Sequence, residues 1–196
     1  MDVNLLKAPK LGIVLAILLI LSGCTYTSQI TRDLNIPVQE VKKIPLRVGL
    51  YMSPNFLNYT YKESRLAEKF VFPLGETFRA GSEKIVKMAF QDVVILSALD
   101  EAIIEKLKIV ISPQIQAVDI MFPMWGWGYL KSTVIIKWTA IDPTEKIIWV
   151  NTFEGESKIK GKTVKNIRNS LQFAIEDHFS KAYEGIISST WWKSIE

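Results

Sequence analysis

The stretch Ser132-Thr-Val-Ile-Ile-Lys-Trp-Thr-Ala-Ile141 decides the fold class. It is rich in β-branched residues, which favour a strand. The next residues, Asp142-Pro-Thr-Glu145, have the composition of a turn. Residues 146–156 then return as a second strand, with Ile147, Trp149 and Phe153 on one face. The pattern predicts a long antiparallel hairpin.

Further elements flank this hairpin on both sides. Residues 108–121 predict another long strand, in which Pro113 indicates an edge position or a bulge. From about Thr163 to Ser189 runs the longest predicted helix. Its apolar residues form one continuous stripe: Val164, Ile167, Leu171, Ala174, Ile175, Phe179, Ala182 and Ile186. Towards the amino terminus, short strands over 46–52 and 92–96 enclose a helix that begins near Gly75.

This order of elements predicts an α+β fold. We expect a two-layer sandwich in which a mostly antiparallel sheet carries two main helices on one face. Residues 46–196 form a single predicted domain. Residues 24–45 are polar and contain Pro37 and Pro45, so we expect a tether with a few docked apolar residues. Fully extended, about 20 residues span at most roughly 66–72 Å.

The amino-terminal residues 1–23 have the pattern of a secretory signal peptide. Lys7 and Lys10 precede an apolar run over 11–21, and small residues close it. The run is shorter than the roughly 20 residues that a membrane-spanning helix needs. Cys24 is the only cysteine, so we expect no disulfide, no thiolate metal site and no catalytic thiol.

The junction Leu21-Ser22-Gly23-Cys24 resembles the lipobox of bacterial lipoproteins. The resemblance implies that Cys24 is diacylated, becomes the new amino terminus after cleavage and is usually acylated again. In enteric-type bacteria an Asp after this cysteine resembles an inner-membrane retention signal, and this chain has Thr25 instead. The resemblance therefore implies a membrane-anchored lipoprotein at the periplasmic face of the outer membrane. The alternatives are an uncleaved anchor or an ordinary signal peptide with a chance cysteine.

The sequence offers little catalytic chemistry. His178 is the only histidine, so a His-based metal site is not expected. It is either a general base or pH switch, or an exposed or partly packed helix residue. The adjacent Asp100 and Glu101 are typical of a helix start. We predict a non-enzymatic protein without cofactor or metal. The formal net charge is +4 with scattered basic residues, which does not indicate nucleic-acid binding.

One unusual segment, Met121-Phe-Pro-Met-Trp-Gly-Trp-Gly-Tyr-Leu130, connects two predicted long strands. Loops are usually polar, but this one is aromatic. One hypothesis is contact with a membrane interface or a partner, where Trp and Tyr are enriched. The candidate contact residues are Phe122, Trp125, Trp127 and Tyr129. The alternative is a loop that folds back over its own core. The terminal Trp191 and Trp192 raise the same question.

The order of elements is also similar to that of the amino-terminal-type α/β domain of TolB. Variants of that domain occur in lipoproteins of curli and polysaccharide secretion and in lipoprotein activators of peptidoglycan synthases. The resemblance implies an accessory or assembly subunit of a secretion or cell-envelope machine, with an envelope protein partner or a homo-oligomer. The alternatives are a carrier or chaperone of an apolar ligand, such as a lipid or glycolipid, and an envelope hydrolase.

Overall fold

A computed structural model describes residues 24–37, 39, 41–65, 68–123, 128–161 and 163–194. The predicted signal peptide, residues 1–23, lies outside this part of the chain. The described elements are, in order, β1 (Cys24–Thr27), β2 (Ile44–Tyr51), α1 (Pro54–Leu57), β3 (Thr60–Arg65), β4 (Glu68–Pro73), α2 (Gly75–Ala89), β5 (Phe90–Leu96), α3 (Glu101–Ile104), β6 (Val110–Met121), β7 (Tyr129–Ile141), β8 (Ile147–Lys160), α4 (Val164–Ser188) and a 3₁₀ helix (Trp191–Ser194).

The main sheet has five strands in the order β5-β2-β6-β7-β8. Strands β6, β7 and β8 form the predicted antiparallel meander. Strand β2 runs parallel to both β5 and β6. The parallel pairing is possible because the chain between β2 and β5 includes helix α2, which supplies the long crossover that parallel strands require. The predicted α+β sandwich is therefore confirmed, with a mixed rather than mostly antiparallel sheet.

A second sheet has three strands in the order β1-β4-β3. Strands β3 and β4 form an antiparallel hairpin, and β1 adds to β4 in parallel. The hairpin buries the side chains of Tyr61, Phe70 and Phe72 in the main core. This small sheet therefore joins the first residues of the described chain to the body of the protein.

The core lies between one face of the main sheet and the two long helices. Along β7, alternate side chains are buried: Leu130, Ser132, Val134, Ile136, Trp138 and Ala140. Helices α2 and α4 pack against this face, as predicted, and they also contact each other. A Cβ at Gly81 would overlap the ring of Phe179, and one at Gly155 would overlap the α4 backbone at Ala174 and His178. Glycine at these two positions permits the close approach of the layers.

Residues 28–43, here named the strap, run over the helix layer from the small sheet to β2. Positions 38 and 40 of the strap lie outside the described residues. Ile30, Leu34 and Ile36 are buried in the main core. The strap backbone is thus held against the domain by apolar contacts, and the division at residue 45 between tether and domain stays a prediction.

Side chains of both long helices also bond to the strap backbone. From α2, Thr77 Oγ1 and Lys84 Nζ donate to the carbonyl groups of Ile30 and Leu34, at 3.3 and 2.7 Å. From α4, Glu176 Oε1 accepts from the backbone N–H of Asn35 at 3.0 Å. Ser180 Oγ and Tyr183 Oη donate to the carbonyl groups at positions 37 and 39. These bonds fix the path of the strap along its length.

Candidate membrane-facing surface

The predicted aromatic loop lies at one end of the main sheet. Strand β6 ends at Met121 and β7 begins at Tyr129, which pairs with Lys160 at the end of β8. Of the connecting residues, the structure describes 122, 123 and 128. Trp125 and Trp127, two of the candidate contact residues, lie outside the described residues. Their contact with a membrane or partner stays a prediction.

Phe122 packs against the protein. Its ring centroid lies 5.9 Å from that of Phe70 on β4. The guanidinium carbon of Arg65 lies 3.6 Å from the Phe122 ring centroid, which is a cation–π contact. Phe122 is half-buried by these contacts. For this residue, the geometry matches the alternative in which the loop folds back over its own core.

Tyr129, in contrast, is exposed. The residue is 54% exposed, and the neighbouring Met121 is 61% exposed. Lys158 Nζ lies 4.7 Å from the Tyr129 ring centroid. These residues line an open cleft of about 620 Å³, together with the ion pair of Lys131 and Glu156. The surface thus combines apolar and basic side chains, as side chains at a membrane interface do.

The exposed ion pair in this cleft shifts the pKa of both of its members. The hydrogen bond from Lys131 is the main factor that lowers the pKa of Glu156. The same bond raises the pKa of Lys131. Both groups therefore stay charged near neutral pH.

The predicted lipidation site lies at the same end of the molecule. Cys24 is the first residue of β1 and pairs in register with Glu68, which in turn pairs with Arg65. Two residues further along β1, the ring of Tyr26 stacks on Phe70 at 5.6 Å between centroids. Phe70 therefore contacts both β1 and the base of the aromatic loop. We name this end of the molecule, with Cys24, Arg65, Met121, Phe122 and Tyr129, the anchor end.

The contacts that build the anchor end were not anticipated from the sequence. The loop is conspicuous in the sequence by its aromatic content, whereas the roles of Tyr26, Arg65 and Phe70 are not. Their only local signal is that two of them are aromatic residues on short strands. The closeness of Cys24 and Tyr26 to the aromatic loop depends on pairing between β1 and β4, which are separated by about 40 residues.

His178 is buried rather than exposed or partly packed. Its Nε2 accepts a hydrogen bond from Trp138 Nε1 at 3.2 Å, so the proton lies on Nδ1. Nδ1 then donates to the carbonyl oxygen of Phe153, also at 3.2 Å. Burial lowers the pKa of His178 from 6.5 to about 3. The ring is therefore a neutral member of the core, without access for a substrate.

The remaining candidates are also structural. Glu101 begins α3, as predicted, and its Oε2 accepts from the backbone N–H of Ser97 at 2.9 Å. Trp191 packs on Trp149, with 5.8 Å between ring centroids. In the part of the chain that the structure describes, no cluster of three His, Cys, Asp or Glu residues could hold a metal ion. None of the described helices is long and apolar enough to cross a membrane.

No protein-family model matches this sequence, and no curated protein matches it either. The fold is similar to that of protein XCC0632 from Xanthomonas campestris, of family DUF330. The two share 6% sequence identity with a TM-score of 0.56, over 88% of this chain and 99% of that chain. At this identity, the likeness shows the fold alone.

Two more distant likenesses are to structures with TM-scores below 0.5. The PelC dodecamer from Paraburkholderia phytofirmans has a TM-score of 0.46 and 14% identity, over 74% of this chain and 90% of that chain. Lipoprotein GNA1162 from Neisseria meningitidis has a TM-score of 0.40 and 9% identity, over 73% of this chain and 99% of that chain.

Proposed function

We propose that this chain is a lipid-anchored, non-enzymatic envelope lipoprotein that acts as an accessory or assembly subunit of a secretion or cell-envelope machine. The observation that carries the proposal is the position of Cys24. This residue begins β1, which is paired in the small sheet, and the strap continues from β1 along the helices. A lipid on Cys24 would therefore hold a folded surface, and not a loose tether, at the membrane.

The anchor end then faces the bilayer. Two or three acyl chains on Cys24 are sufficient for stable attachment, since one chain of myristoyl length binds only marginally. The exposed Met121 and Tyr129 are consequently not needed for anchoring. Their role in this proposal is to set the orientation of the domain at the headgroups. Attachment to the periplasmic face of the outer membrane follows from the lipobox resemblance and from Thr25.

The accessory role rests on the surfaces that this orientation leaves free. The ends of β7 and β8 that meet at the 142–146 turn point away from the anchor end. There, Ile147 and Val150 are exposed on the edge strand of the main sheet. An envelope protein or a second copy of the chain would meet this side of the molecule first.

Photo-crosslinking from two exposed positions tests the orientation. A benzophenone amino acid replaces Tyr129 at the anchor end or Ile147 at the other end in the lipidated protein, in membranes. We expect lipid adducts from position 129 and protein adducts, from a partner or a second copy, at position 147. Protein adducts without lipid adducts at position 129 would contradict the orientation.

The anchor is tested separately with Cys24→Ala. We expect the fold to be kept and the protein to be lost from the membrane fraction or mislocalised. If the cleaved variant stayed on the membrane, the aromatic loop and not the lipid would be the anchor. A monodisperse monomer without a partner, after purification of the wild type from detergent-solubilised membranes, would contradict the assembly role.

A further inference from the structure

An apolar groove lies at the end of the molecule opposite the anchor end. Its walls are the last strap residues with the start of β2, the last turns of α4 and the 3₁₀ helix. The volume is about 710 Å³, within the range of roughly 300–1,000 Å³ that is typical of small-molecule sites. The groove is therefore large enough for a drug-sized ligand.

The lining of the groove is mostly hydrocarbon. Val41 and Ile44 contribute from the strap side, and Ile187 contributes from α4. Trp192 forms a further part of the lining. Its indole Nε1 is buried and has no hydrogen-bond partner among the residues that the structure describes. Because this nitrogen is closed off from the groove, Trp192 contributes apolar ring surface to the lining.

The charges at the groove are arranged asymmetrically. Lys42 and Lys43 line the strap side and are exposed, and neither forms an ion pair within the described ranges. Among the described residues of the lining, Glu184, on the wall formed by α4, is the one acidic residue. An anionic group is therefore attracted to the strap side and repelled from the helix side, while the space between them is apolar.

We propose that this groove binds a single-chain amphiphile with a carboxylate head, that is, a long-chain fatty acid. The acyl chain lies along Val41, Ile187 and Trp192. The carboxylate lies near Lys42 and Lys43, on the strap side of the groove. The exposed position of the two lysines is compatible with this pairing, because their side chains can reach from solvent to the carboxylate at the edge of the groove.

The distance from the anchor end indicates how the ligand would arrive. Helix α4 begins just after β8, at the anchor end, and finishes at the groove. Its 25 residues rise about 37 Å at 1.5 Å per residue. A ligand in the groove is consequently a monomer that has left the bilayer. This route rests on the lipid anchor proposed above, whereas binding in the groove depends neither on the anchor nor on the accessory role.

Photolabelling of the lipidated protein in lipid nanodiscs tests the groove. The probe is a palmitic acid with a diazirine in its chain, and the matched probe is the corresponding hexadecanol. We expect the acid to label peptides that contain residues 41–45 and 184–192. Labelling should fall about three- to tenfold in the double variant Lys42→Glu, Lys43→Glu, as expected when two partly exposed charge pairs are lost.

Two further variants complete the design. Lys62→Glu with Lys165→Glu changes the net charge equally at exposed positions elsewhere, and should leave the labelling unchanged. Ile187→Trp narrows the groove and should reduce labelling by the acid while far-ultraviolet circular dichroism stays unchanged. If Ile187→Trp does not fold, the lysine variants still decide the test, because Lys42 and Lys43 are exposed.

Three outcomes would overturn the proposal. The first is the absence of acid adducts from the groove peptides. The second is labelling confined to the anchor end. The third is labelling that is equal for the acid and the alcohol and unaffected by reversal of the two lysine charges.

Discussion

The imidazole of His178 connects three elements of the core. Trp138 lies on β7, Phe153 lies on β8, and His178 itself lies on α4. Desolvation by burial is the largest effect on the pKa of His178 and lowers it. Of the nearby charges, Asp177 raises this pKa and Lys181 lowers it. A lone histidine in a helix gives no local signal of this position, because its burial depends on residues 25 and 40 positions away in the chain.

The depressed pKa predicts a specific pH dependence of stability. The pKa of His178 is about 3 in the folded state, against 6.5 as the ordinary value. The unfolded chain therefore binds the proton first as the pH falls. The contribution of His178 to stability is complete above about pH 6.5 and is lost progressively as the pH falls towards 3. Urea unfolding at pH 7.5, 6, 5 and 4 measures this slope.

The variant His178→Gln provides the comparison for this measurement. We expect a lower free energy of unfolding at pH 7.5, because the hydrogen bonds of the ring are lost, together with a flatter dependence on pH. Equal slopes for the variant and the wild type would show that His178 does not titrate between the two states.

Gly155 predicts a second effect at the scale of one residue. A Cβ at this position would overlap the backbone of α4 at Ala174 and His178. Since backbone atoms cannot rotate away, Gly155→Ala should lower the free energy of unfolding by about 1–3 kcal/mol, as overpacking does. Thr152→Ala, at an exposed position of the same strand, is the control. Wild-type stability in Gly155→Ala would mean that α4 can shift away from β8.

The strap is held in place on the domain although its described residues form no regular secondary structure. It is an irregular segment that is held by apolar side chains and by bonds from two helices. Glu176 is central to it, because its Oε1 accepts from the backbone of Asn35 and from Gln172 Nε2, both at 3.0 Å. The carboxylate thereby links the middle of the strap to α4.

Removal of this carboxylate should loosen the strap. In Glu176→Ala, the partly buried N–H of Asn35 loses its acceptor, which costs about 1–3 kcal/mol. Deuterium uptake measured by mass spectrometry should become faster in peptides that cover residues 30–37 and stay unchanged in β7. The exposed Glu154→Ala serves as the control. Uptake that rises equally throughout the chain would indicate global destabilisation instead of local release.

The long elements could be predicted from the sequence, and the pairing between distant strands could not. Strand β7 and helix α4 have apolar patterns that extend over 13 and 25 residues, so both were located within about three residues. Strand β1 has only four residues and no pattern of its own. The parallel pairing of β2 depends on the crossover through α2, which is a property of the tertiary structure.

Pro113 illustrates an intermediate case. The sequence indicated an edge position or a bulge, but β6 is an interior strand of the sheet. Strand β2 pairs with it only at Val110 and Ile111, so the N-side of Pro113 lies beyond that pairing. A register shift follows between Ile115 and Ala117. The expected edge position is therefore met locally, whereas the bulge lies beyond Pro113, which is itself paired in register with Trp138. Neither the length of β2 nor the shift can be read from residues 108–121.

At the scale of the whole molecule, the two ends differ in chemistry. The anchor end carries Cys24 and the base of the aromatic loop, while the opposite end carries the apolar groove. The lipobox-like junction and the loop composition were both visible in the sequence. Their closeness was not, because it is established by contacts of Phe70 with Tyr26 and Phe122, which are almost 100 residues apart.

With Cys24 lipidated as proposed, this arrangement predicts how far the domain stands from the membrane. Because β1 is paired and the strap is packed, little free chain is left between Cys24 and the domain. Neutron reflectometry of the lipidated protein on a supported bilayer should therefore show a protein layer that begins at the headgroups. If α4 stands near the bilayer normal, this layer should be about 40 Å thick, since the helix rises about 37 Å.

A variant with a longer connection makes this prediction decisive. Twenty Gly and Ser residues inserted between Cys24 and Thr25 would lengthen the link between the lipid and β1. The same insertion between Thr27 and Ser28 would not lengthen this link, because it follows β1. A flexible chain of this length has a root-mean-square span of about 25 Å, so only the first insertion should introduce a hydrated gap of about that size. If the wild type already shows such a gap, then β1 is not paired when the lipid is in the membrane, and the chain before the strap acts as a tether after all.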